Sequence, residues 1–127
     1  MASKLCPHSL SNHADVGVFV DAGCPLVKMV SHFEPAADCL RRRPDLTLVG
    51  RVFEPSYDPV AAARAGASPE ADARAWVARQ QEQYRLNPLI TIWEGPNEPV
   101  LGSMQDPANM QAMAWYAAFA ADYAAGS

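Results

Sequence analysis

Four short, continuously apolar runs, each followed by a stretch of helical character, confine this chain to a parallel α/β architecture. The runs are Lys4-Leu5-Cys6, Pro25 to Val30, Leu46 to Phe53 and Leu89 to Trp93. They do not alternate cleanly between apolar and polar residues, which is how strands covered on both faces read. Between them, Ala14 to Ala22 reads as a short helix, with Ser11 or Asn12 as its cap and Gly23 as its stop. Glu34 to Arg42 reads as a second helix, ended by Pro44. Residues 54–67 read as a long polar loop. Ser68-Pro69-Glu70 then supplies a capping hydroxyl, a proline at the first helical position and an acid in the first turn. Ala73, Trp76, Val77 and Tyr84 continue that helix until Pro88. Asp106-Pro107 opens the last helix. Met110, Met113, Ala114 and Ala117 fall on one of its faces and Tyr116, Phe119 and Tyr123 on another, so it expects neighbours on more than one side.

Right-handed strand-helix-strand connections leave two closures, an open doubly wound sheet or part of a barrel. No Gly-x-Gly-x-x-Gly follows any apolar run, so a dinucleotide-binding fold lacks support. The expectation is therefore a parallel (β/α) barrel segment of about four β/α units, a partial (β/α)8 TIM barrel. A complete barrel takes roughly 250 residues. A chain of 127 residues supplies about half, and it fits one domain covering residues 1–127.

Composition narrows the partners. The net charge is −4 with both signs spread along the chain, and the one basic run, Arg41-Arg42-Arg43, reads as the solvated end of a helix. Nucleic acid, which needs a basic face, is not an expected partner. No stretch approaches the ~20 apolar residues of a membrane span. The first ten residues lack the apolar run of a signal peptide, and localisation is otherwise open. The three cysteines, Cys6, Cys24 and Cys39, are odd in number and lack zinc-site spacing. They read as free, buried thiols, which mildly favours a reducing compartment. No metal or organic cofactor is implied.

Function in parallel α/β folds collects at the C-terminal ends of strands. Those ends carry His8, then Ser31-His32, then Arg51 with Glu54, then Glu94, Asn97 and Glu98. Cleaving a glycosidic bond needs two carboxyl groups, one protonating the leaving oxygen and one attacking or activating water. Glu98 suits the acid role, because it follows the tight Gly95-Pro96 turn and is stiffened by Pro99. Asn97 can hydrogen-bond a sugar hydroxyl as charge develops. Glu94 can supply the negative charge, and Trp93 the apolar wall, that hold an acid protonated near neutral pH.

The string ITIWEGPNEP, with Asn97-Glu98-Pro99 after the fourth apolar run, resembles the acid/base signature of the large retaining glycoside hydrolase clan built on (β/α)8 barrels. The resemblance implies Glu98 as general acid/base and Asn97 as the contact to the sugar 2-hydroxyl. It identifies the chain with the N-terminal half of such an enzyme. The clan's nucleophile is a glutamate ending the seventh strand, and no position here matches it. The chain is thus expected to be a fragment, inactive by itself, that takes a carbohydrate substrate. A non-catalytic carbohydrate-binding half-barrel, self-associating through exposed sheet edges, is the alternative. More remote is a lyase or aldolase using Lys28 as an imine-forming amine.

Each remaining candidate has a plainer reading. Glu94 is read first as the ion-pair partner of Arg51 or Lys28 and second as a substrate contact. Lys28 interrupts an apolar strand and needs a partner if buried. Arg51 can orient a carboxylate or a sugar, and His8 can line the pocket or sit in a solvated loop. Trp93 can stack on a sugar ring, although a tryptophan in a strand is more often core. His13 and His32 read as surface residues.

Overall fold

The structure is a computed structural model that describes residues 8–9, 13–55, 57–96 and 105–126. The chain forms two compact units, Met1–Phe53 with Gln83–Glu94, and Glu54–Glu82 with Gly95–Ser127.

The first unit is a parallel sheet with its helices. A two-residue strand β1 (His8–Ser9) is followed by α1 (His13–Asp21), β2 (Leu26–Val30), α2 (Ala36–Arg42), β3 (Thr47–Arg51) and, later in the chain, β4 (Ile92–Glu94). All neighbours pair in parallel in the order β1-β2-β3-β4. Gly23, at φ 76°, closes α1 in the left-handed conformation that glycine adopts without strain. The sequence-based caps Ser11 and Asn12 lie outside the described residues, as does the apolar run Lys4-Leu5-Cys6.

The expected partial barrel does not form. The sheet is open, and three strands, β2, β3 and β4, carry it. His8–Ser9 adds only a two-residue ladder at one edge, too little for a β/α unit of its own. At the other edge β4 is cut to three residues, because Leu89 to Thr91 lie outside the ladder, with Ile90 N–H donating to Asn87 O at 3.0 Å. Strands this short give no extended ladder from which a four-unit barrel wall is built.

The core of this unit sits where Val16 and Val20 of α1, Ala36 and Cys39 of α2, and Val27, Met29, Leu48 and Trp93 of the sheet are buried. Each such large side chain contributes about 1.5–3 kcal/mol. Cys24 and Cys39 are both buried and free. Burial first, and then the neighbouring Asp38 charge, push the Cys39 thiol above its ordinary value. The basic run is paired within this unit. Arg41 bonds Asp38, Arg42 bonds Asp21, and Arg43 grips Asp45 in a fork of 2.8 and 3.0 Å.

The second unit is helical. Where the sequence suggested only loop, α3 (Pro59–Arg64) forms, with the Asp58 carboxylate accepting from Val60 N at 2.8 Å and Ala61 N at 3.2 Å. It precedes α4 (Pro69–Leu86), whose last residues belong to the first unit, and α5 (Pro107–Gly126). Val60 and Ala63 of α3 pack on Ala108 and Ala112 of α5. Among the described residues no helix is long and apolar enough to cross a membrane.

Candidate functional site

In the first unit the strand tips are aligned by the ladder. Val30, Arg51 and Glu94 stand at one level, Met29, Gly50 and Trp93 one residue below, and Lys28, Val49 and Ile92 below that. Side chains alternate along a strand, so Lys28, Arg51 and Glu94 share one face and Met29 and Trp93 the other. On the first face the Lys28 ammonium forms an ion pair with Glu94, and both Lys28 and Arg51 are buried. Of the two partners expected for Glu94, the ion pair is made with Lys28. His8 stands beside Lys28 in the β1–β2 ladder.

The tip of β2 is held in an uncommon backbone shape. Ser31 has φ 58°, in the left-handed region that residues other than glycine seldom occupy. Its N–H donates to Arg51 O at 2.9 Å, and its hydroxyl oxygen accepts from Phe53 N at 2.8 Å. Those two bonds lock the ends of β2 and β3 together beside Arg51. His32, next in sequence, is exposed.

Trp93 lies on the opposite face, in the core. It meets Phe33 edge-on at 5.1 Å and Tyr84 at 4.7 Å between ring centres, and its indole N–H donates to Ile90 O at 3.1 Å. Gly50 leaves room for that ring, since a Cβ there would stand 2.7 Å from Trp93 Cζ3. The structure thus brings Lys28, Arg51 and Glu94 onto one face and sets Trp93 apart from them.

In the second unit, the segment that follows β4 is gripped by α5. Tyr116 donates its hydroxyl hydrogen to the carbonyl of Pro96. A Cβ at Gly95 would lie 3.2 Å from Tyr116 Cε1 and 3.4 Å from Trp115 Cζ3. Trp115 in turn donates its indole N–H to Asp72 Oδ2 at 3.1 Å, and Tyr57 donates its hydroxyl hydrogen to the same oxygen. Burial, and secondarily this bond to Asp72, raise the Tyr57 phenol far above its ordinary value. The Arg79 guanidinium stands 5.6 Å from the ring centres of both Tyr57 and Trp76. Glu54 accepts from Gln80 at 3.0 Å and pairs with Arg79 at 3.6 Å, so it serves this cluster.

Sequence reasoning missed Tyr57, Asp72, Trp115 and Tyr116. A signal existed for one of them: Asp72 recurs with Trp76 and Arg79 at helical spacing and falls with them on one face of α4. Nothing local connects that face with Tyr57 or with Trp115 and Tyr116. Asn97 and Glu98 lie outside the described residues.

Among the described residues no group of three or more His, Cys, Asp or Glu side chains is placed to hold a metal ion. No family model, curated protein or solved structure matches this chain.

Proposed function

We propose that this chain carries the general acid/base of a retaining glycoside hydrolase, with Glu98 in that role and Asn97 contacting the sugar. One observation carries the reading. In sequence the Asn97-Glu98-Pro99 motif follows directly on Gly95-Pro96 and begins three residues after the last residue of β4, a strand of a parallel sheet. Open α/β sheets bind their ligands outside the carboxyl ends of their strands. Lys28, Arg51 and Glu94 put charged side chains on one face of the sheet toward that end.

In this reading a carboxylate attacks the anomeric carbon while the glycosidic C–O bond breaks, and Glu98 gives its proton to the departing oxygen. Glu98, now a carboxylate, takes a proton from the water that attacks the glycosyl-enzyme ester. The sugar leaves with a new hydroxyl, and both carboxyl groups return to their starting state. The nucleophilic carboxylate has no matching position among these 127 residues, so the test uses the full natural gene product.

The test replaces Glu98 with Gln in that product. On glycosides with poor leaving groups, kcat/KM should fall by about 100-fold or more. On aryl glycosides whose phenolate departs without a proton it should fall far less. A Glu98→Gln enzyme with normal activity on both would sink the assignment.

The exposure of Ile92 on the outer strand β4 favours a second reading, a carbohydrate-binding protein that self-associates without cleaving. It requires a folded dimer on gel filtration and sugar binding unaffected by Glu98→Gln.

A further inference from the structure

We infer that Phe53 and Ser31, just past the carboxyl ends of β3 and β2, form a platform for one sugar ring, on which the Phe53 ring stacks and to which the Ser31 hydroxyl donates. The inference rests on the reading of the chain as carbohydrate-acting and adds a substrate contact to it.

Three observations meet at this spot. Ser31 holds φ 58°, a shape that glycine takes without strain and serine does not. Strain of this kind persists where the surroundings enforce it, and it gathers at ligand sites. Here two bonds enforce it, from Ser31 N–H to Arg51 O at 2.9 Å and from Phe53 N–H to Ser31 Oγ at 2.8 Å. The second bond uses the hydroxyl as an acceptor and leaves its hydrogen for an acceptor outside the clasp, and Ser31 is exposed. The same bond fixes the backbone of Phe53, whose side chain stands out in water, with the residue 58% exposed. A single exposed aromatic ring is ordinary on a protein surface. This one is tied to a strained serine with a hydrogen to donate, at the end of a parallel sheet where ligands bind.

The chemistry of the pair selects a carbohydrate. A sugar ring has an apolar C–H face and a rim of hydroxyls. The Phe53 ring suits the first and the Ser31 hydroxyl the second, the combination of aromatic wall and few placed polar groups that small-molecule sites use. Neither side chain carries charge, which suits a neutral ring. The clasp uses only the Phe53 N–H, so exchanging the ring leaves it in place.

Binding is measured by isothermal titration calorimetry on the full natural gene product carrying Glu98→Gln, so that the ligand is not consumed. The probes are xylotetraose, cellotetraose, mannotetraose and chitotetraose. Adding Phe53→Ala is expected to weaken the tetraose that binds by about 10-fold, with the melting temperature unchanged. Phe53→Trp restores the affinity, because a larger ring offers the same face. Ser31→Gly keeps the backbone shape, removes the hydroxyl and costs about 3-fold to 10-fold. Affinity unchanged by Phe53→Ala overturns the inference. So does a loss that Phe53→Trp shares, or one that comes with a lowered melting temperature, since either marks a structural ring. Cleavage of the same tetraoses by the natural protein, read as new reducing ends, tests Glu98 separately. A protein that loses cleavage with Glu98→Gln but binds equally with Phe53→Ala keeps the Glu98 assignment and loses the platform. One that binds through Phe53 without cleaving keeps the platform and loses the Glu98 assignment. A protein that binds none of the four overturns the platform.

Discussion

The ammonium of Lys28 on β2 reaches over β3 to the carboxylate of Glu94 on β4, joining two strands that share no ladder. Adjacent strands are about 4.8 Å apart, so the pair spans two such spacings, a distance suited to a long lysine stem. Its two ends differ in exposure. The Lys28 side chain is 9% exposed and that of Glu94 41%. Removing the carboxylate strands a buried cation, whereas removing the amine leaves a carboxylate that water already reaches. Glu94→Gln is therefore expected to cost about 1–3 kcal/mol, and Lys28→Met less, because an apolar stem can replace a buried amine. Urea denaturation of both variants measures the asymmetry, and equal losses would refute it.

Gly50 is a packing requirement of β3. A methyl group there would stand 2.7 Å from Trp93 Cζ3 and 2.8 Å from Ile90 Cγ2, both in a buried layer. The Trp93 ring is confined by Phe33 and Tyr84 and by its own hydrogen bond to Ile90, so it has little freedom to give way. Gly50→Ala is expected to destabilise by about 1–3 kcal/mol through overpacking. The loss should be seen as a lower urea midpoint together with a changed tryptophan emission. An unchanged midpoint would mean that the ring moves without cost.

The strands were legible from sequence because β2 and β3 are buried on both faces and read as short, mostly apolar runs without polar alternation. Their closure was not, since apolar runs say nothing about how many strands pair or for how long. Leu89 and Ile90 look like strand yet lie outside the ladder, and Leu89 is exposed. Lys28 announced its need for a partner by interrupting an apolar run, and Glu94 was one of few carboxylates at a strand end. The helix α3 was hidden by its length of six residues, too short for a periodic signal, although Asp58-Pro59 is a good start. The Tyr57–Asp72–Trp115 cluster joins residues far apart in sequence, which no local pattern reveals.

Asp106 ties the start of α5 by charge as well as by geometry. Its Oδ1 accepts from Ala108 N at 2.9 Å, and its Oδ2 receives the Arg64 guanidinium at 3.0 Å. The backbone bond from Ala108, followed by the bond from Arg64, holds the carboxyl below its ordinary value of 3.8. A folded-state value below the unfolded one means the unfolded chain takes up protons first as pH falls. The stabilisation is thus complete above the unfolded value and disappears as pH drops through the folded one. Asp106→Asn keeps a capping oxygen and removes the charge. It should lower the melting temperature at pH 6 and flatten the loss below pH 4, read by circular dichroism. An acid limb as steep as that of the wild type would show that Asp106 does not contribute to it.

Tyr57 gives the opposite sign at the alkaline end. Its hydroxyl donates to Asp72, and burial with that bond keeps the phenol protonated well beyond its ordinary value of 10.0. Above pH 10 the unfolded chain loses this proton while the folded chain retains it, so the unfolded state binds fewer protons and stability falls as pH rises. The contribution is fully present below the unfolded value and shrinks progressively above it. Tyr57→Phe removes both the titration and a hydrogen bond to a carboxylate, at a cost of about 1–3 kcal/mol at neutral pH. Its stability should then change less than that of the wild type between pH 9 and 11. Urea midpoints across that range, with phenolate absorbance followed in parallel, compare the two slopes. If both proteins lose stability equally over that interval, the alkaline sensitivity lies elsewhere than in the Tyr57–Asp72 bond.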